Sequence, residues 1–116
     1  MPAANNYLEM LLYRLVPGRG EEFHAAFEQS SLELMERLGL TVVGYGPSQH
    51  DGDCYYLMRA YPSLEYRDQL LERCARDREW QQEYAARLAP VIASCITVIV
   101  PCEHEGIEKL KHTIAF

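Results

Sequence analysis

The sequence predicts an α+β fold: a four-stranded antiparallel sheet with helices packed against it. Three observations carry that expectation. Runs of aromatic and branched residues end at turn dipeptides, helical stripes lie between them, and the order is strand, helix, strand, strand, helix, strand.

The first strand covers Tyr7 to Val16 (YLEMLLYRLV) and stops at Pro17-Gly18. It is apolar on both faces, with only Glu9 and Arg14 as charges, which predicts a central strand covered on both sides. From Gly20 to about Leu38 the period becomes helical. Phe23, Phe27, Leu34 and Leu38 share one face, Glu21 and Glu22 suit the positive N-terminal end, and Gly39 is the stop.

Leu40 to Gly46 (LTVVGYG) reads as the second strand and Cys54 to Tyr61 (CYYLMRAY) as the third, joined through the turn residues Pro47 to Asp53. Pro62-Ser63 opens the next helix, with Ser63 as N-cap and Tyr66 to Ala75 as its body. A further helical segment begins at Asp77, runs through Trp80, Tyr84 and Leu88, and ends at Pro90. The fourth strand lies within Val91 to Val100 and is stopped by Pro101. This is the βαββαβ order of ferredoxin-like domains. Residues 1–101 form the domain, and 102–116 form a charged tail with a short helix around Gly106 to His112.

Helices on one face leave the other sheet face to be covered. A second copy of the same sheet covers it most simply, so the fold argument predicts a homodimer. At 116 residues the chain has room for one domain, and 48% hydrophobic with 24% charged residues is ordinary globular composition. The net charge of −6 argues against sequence-independent nucleic-acid binding and against anionic membranes. Met1 to Asn6 lacks the basic start and apolar run of a secretion signal, and a cytoplasmic location is expected. Cys54, Cys74, Cys95 and Cys102 contain no C-x-x-C pair and are expected to be reduced.

Several of these residues, taken together, resemble the NIPSNAP family of the dimeric α/β-barrel superfamily. They are Glu9 and Tyr13 in the first strand, Pro17-Gly18 before a helix with Phe23 and Phe27, and the Gly44-Tyr45 strand. Tyr56-Leu57 leading into Tyr61-Pro62-Ser63-Leu64 and the run Asp77-Arg78-Glu79-Trp80-Gln81 complete the set. Leu11 stands where the family often carries Arg. The resemblance implies the fold, the dimer and a cleft between sheet and helices. Its wider superfamily includes cofactor-free monooxygenases and polyketide cyclases, so it implies a small apolar cleft for an aromatic or polyketide-like metabolite. A non-catalytic module for a small molecule or a protein is the alternative.

Alternation sorts the candidate site residues. Glu9, Leu11, Tyr13 and Leu15 share one face of the first strand, and Leu57 and Arg59 share one face of the third. Glu9 and Arg59 can pair, as a structural ion pair or as a polar spot in the cleft. Tyr13, Tyr45 and Tyr56 can orient a carbonyl or phenolic ligand, or fill core and interface with the hydroxyl at the wet edge. His24 borders the Phe23–Phe27 stripe, where it either faces the cleft as a general base or is solvated. His50 stands beside Asp51 in a turn, as a dyad or as two solvated neighbours. Trp80 lines the cleft mouth or fastens the second helical region to the sheet. Cys74, between Arg73 and Arg76, is the thiol with basic neighbours. No phosphate-cradling loop or dinucleotide fingerprint is present, and neither cofactor nor metal is expected.

Overall fold

The computed structural model describes residues 4–114. Residues 1–3 of the expected leaderless start and 115–116 of the expected tail lie outside the described residues.

The strands β1 (Tyr7–Leu15), β2 (Thr41–Pro47), β3 (Cys54–Tyr61) and β4 (Ile92–Pro101) form one antiparallel sheet in the order β2-β3-β1-β4. β1 is central, as its two apolar faces require. Its Glu9 pairs with Arg59 and Ile99, Leu11 with Leu57 and Thr97, and Tyr13 with Tyr55 and Cys95. The opposite face carries the rows Leu8–Ala60–Val100, Met10–Met58–Val98, Leu12–Tyr56–Ile96 and Arg14–Cys54–Ser94.

The helical stretch after Pro17-Gly18 is one run in three parts: α1 (Gly20–Ala26), a π-helical turn (Phe27–Ser31) and α2 (Leu32–Leu38). The wider turn was not legible in the apolar period, which continues through it with Phe23, Phe27, Leu34 and Met35 all buried. Gly39 ends the run in the left-handed region at φ 98°, where a side chain would clash with its own carbonyl. α3 (Leu64–Arg76) is capped by Ser63, whose hydroxyl accepts from the Tyr66 amide at 3.0 Å. The segment after Asp77 coils as a π-helical turn (Trp80–Ala85) and a short 3-10 turn (Ala89–Val91).

These elements cover the Glu9 face of the sheet. Leu11, Leu15, Phe23, Phe27, Met35, Leu57, Tyr61, Leu70 and Leu88 form the main core there.

The segment after Pro101 joins the body of the molecule. Its helix α4 (His104–Thr113) packs on the opposite sheet face, where Ile107 is fully buried among Leu8, Val43 and Ala60. Burying one such side chain stabilises by about 1.5–3 kcal/mol. Gly44 lets the chain after α4 approach closely: a Cβ there would stand 3.1 Å from Ile114 Cγ2, at the point where the β2–β3 register shifts. α4 covers only one half of this face. On the other half Leu12, Ile96 and Val98 are 48%, 64% and 40% exposed.

Candidate functional site

The open half of the sheet face forms a groove of about 570 Å³. Its floor is two adjacent rows set by the strand register: Tyr56–Leu12–Ile96, which is apolar, and Cys54–Arg14–Ser94, which is polar. Pro47 at the end of β2 and Ser48 and Gln49 of the β2–β3 connection wall one end. Arg14 is the one charged side chain among the described lining residues, and its Nη1 lies 3.6 Å from Asp51 Oδ2. Asp51 also accepts from the Asp53 amide at 2.9 Å; that bond, with the Arg14 charge behind it, holds its carboxyl below the usual range.

On the helix side, Glu9 lies at the centre of a buried polar cluster. Its Oε1 accepts from Arg59 Nε and from the Tyr61 hydroxyl, both at 2.8 Å, and its Oε2 accepts from Arg67 Nε at 2.6 Å. Burial pushes the Glu9 carboxyl up, but the Arg59 charge and the three hydrogen-bond donors outweigh it, and the net direction is down. The carboxylate is therefore ionised and fully engaged. Arg67 reaches it from the first turns of α3 and ties that helix to β1.

A second chain of polar contacts joins β2, β3 and the helical run. The Tyr55 hydroxyl and His24 Nδ1 are 2.6 Å apart, His24 Nε2 lies 3.2 Å from Glu28 Oε1, and the Tyr45 hydroxyl donates to Glu28 Oε2 at 3.0 Å. Where the proton of neutral His24 sits on Nε2, facing the Glu28 carboxylate, Nδ1 accepts from Tyr55. Burial, with Tyr45 and Glu28 close by, pushes the Tyr55 phenol upward, and burial and Glu28 push Tyr45 up to about 12. Tyr13 shares a 3.3 Å contact with the Tyr84 hydroxyl, and Trp80 stacks on Tyr84 with ring centroids 4.5 Å apart.

The structure thus brings Glu9 together with Arg59, and His24 with Tyr45, and puts Tyr56 in the groove on the other face. Tyr13 belongs to the core, although it also touches the groove's margin. Trp80 packs against the core from the helix side, and exposed His50 lies in the β2–β3 turn, where its amide donates to Ser48 Oγ at 3.2 Å. The space expected as a cleft between sheet and helices is filled by Leu11, Tyr13, Leu57, Tyr61 and Leu70. Cys74 is buried there, and burial raises its thiol, outweighing Arg59 and Arg73, so its basic sequence neighbours do not make it a thiolate.

Arg67, Glu28, Tyr55 and Arg14 escaped the sequence reading as site residues. Glu28 had a signal, since it lies four residues after His24 on one helix face. Arg67 had another, because it precedes Leu70 and Cys74 at helical spacing. Among the described residues no cluster of His, Cys, Asp and Glu could hold a metal ion, and no helix is long and apolar enough to cross a membrane.

The fold has solved counterparts. A NIPSNAP family protein from Agrobacterium tumefaciens superposes with a TM-score of 0.77 at 22% identity, over 88% of this chain and 90% of that one. An uncharacterized NIPSNAP domain protein from Burkholderia xenovorans gives 0.73 at 22% identity, over 81% and 91%. A putative antibiotic biosynthesis monooxygenase from Chloroflexus aurantiacus gives 0.60 at 17% identity, over 83% and 91%. At such identities these likenesses concern the fold alone. No curated protein matches the sequence. Residues 8–101 match the sequence model of NIPSNAP, from the second residue of β1 to the last of β4, and the chain belongs to the NIPSNAP family.

Proposed function

We propose that this chain is a homodimeric small-molecule-binding domain that holds an apolar, aromatic ligand in the groove over its open sheet face. One observation carries the reading. The row Tyr56–Leu12–Ile96 and neighbouring Val98 present apolar side chains to solvent around a concave space, on a face whose other half is already buried by α4. A second copy seated there would bury the exposed row and enclose the ligand. The buried polar groups favour binding over chemistry, because Glu9, Arg59, Tyr61, His24, Tyr55 and Tyr45 are hydrogen-bonded among themselves and their neighbours. The four cysteines are free thiols, which fits a reducing cytoplasm.

Native mass spectrometry of the freshly purified chain tests this, beside the variant Ile96→Lys. The expected result is a wild-type dimer carrying a small molecule that denaturation releases, and a variant that is monomeric and empty. A wild-type monomer overturns the dimer. A dimer that arrives empty and takes up no aromatic probe overturns the ligand.

A further inference from the structure

We propose that the groove selects an amphipathic carboxylic acid, its apolar body on the Tyr56–Leu12–Ile96 row and its carboxylate on Arg14. The inference deepens the binding reading above and rests on it. The two rows follow from strand alternation: Leu12 and Arg14 are two residues apart on one face of β1, which sets the rows roughly 7 Å apart. A ligand spanning both therefore has a ring-sized apolar part with an acid group on it or a few bonds away.

The polar row fits an anion and nothing else so well. Arg14 is its middle member, with Cys54 and Ser94 in register on either side and Ser48 and Gln49 on the wall beside it. No carboxylate belongs to the described lining, so a cationic ligand has no partner in it. Asp51 braces the guanidinium through one contact at 3.6 Å, with both groups partly in solvent. A guanidinium has five N–H donors in a planar fork, so that brace leaves donors for a bidentate carboxylate. The net charge of −6 disfavours multiply charged anions, whereas a single charge on an apolar body is drawn in by burial rather than by the long-range field. Closure by a second copy removes water from the pair and strengthens it.

The test is calorimetric titration of the full chain with 2-naphthoate and with 2-naphthamide, which differ in charge and little in shape. In the wild type the acid should bind about ten-fold more tightly than the amide. Arg14→Gln should erase that preference and leave the amide within about two-fold, as expected when only the charged contact is removed. Tyr56→Ala should weaken both. Equal binding of acid and amide to the wild type, or a preference that survives Arg14→Gln, overturns the carboxylate assignment and leaves the groove standing. Failure of both probes to bind overturns the groove reading and this inference together.

Discussion

Glu9 and Arg59 face each other across β1 and β3 with Oε1 and Nε 2.8 Å apart, one side chain fully buried and the other nearly so. Removing one charge leaves the other stranded in the core. Glu9→Gln is therefore expected to destabilise the chain by about 3–5 kcal/mol, measured by urea unfolding near neutral pH. Wild-type stability measured in the variant would show the pair to be replaceable.

The same carboxylate makes stability depend on pH. Its folded pKa lies below its ordinary 4.5, so its contribution is full above that value and fades as pH falls through the lower folded value. Urea midpoints should hold steady down to about pH 5 and drop below it. The drop should be shallower in Glu9→Gln.

The tyrosines should separate in an alkaline spectrophotometric titration. Tyr45 is pushed up to about 12 by burial and by Glu28. Tyr13, Tyr55 and Tyr61 are each raised mainly by burial, and should ionise only with unfolding. In Tyr45→Phe the late folded-state step should vanish. A titration in which all tyrosines ionise together near pH 10, their ordinary value, would contradict the packing described for the helix side.

Two isoleucines on one sheet face should behave oppositely. Ile107→Ala removes a fully buried side chain beneath α4 and should cost about 2–5 kcal/mol. Ile96→Lys changes a side chain that is 64% exposed and should alter monomer stability by about 0.5 kcal/mol or less. It should, however, abolish the concentration dependence of Tm that a dimer confers. Thermal scans over a hundred-fold range of protein concentration read both effects.

Tyr55→Phe should cost about 1–3 kcal/mol, since it strips His24 Nδ1 of a buried partner at 2.6 Å. Tyr45→Phe, at a wetter site, should cost less. Denaturant unfolding of the two variants checks the order.

The elements that period and punctuation define were legible. The four strands follow from short apolar runs between turns, and Gly39 and Ser63 mark helix boundaries through their own chemistry. The Glu9–Arg59 pairing followed from alternation and strand adjacency. The placement of α4 was not legible, because a ten-residue helix with few apolar positions states what it buries but not against which face. Nor was the engagement of the polar groups. Arg67 comes to Glu9 from fifty-eight residues away, and only the packing of α3 on the sheet brings them together. The groove was hidden for the opposite reason: Leu12 and Ile96 look like core residues, and only the extent of α4 leaves them uncovered.

α4 also sets a thickness. Sheets stacked face to face stand about 10 Å apart, and a helix with its side chains is about as thick. Because α4 already lies on one half of the face, it would work as a shim in the proposed dimer: a second copy would rest on the helix while closing over Leu12 and Ile96. The height of the space enclosed over the bare half would then be set by the helix. Ligand size would be governed from a segment beyond residues 8–101, the part of the chain that matches the family.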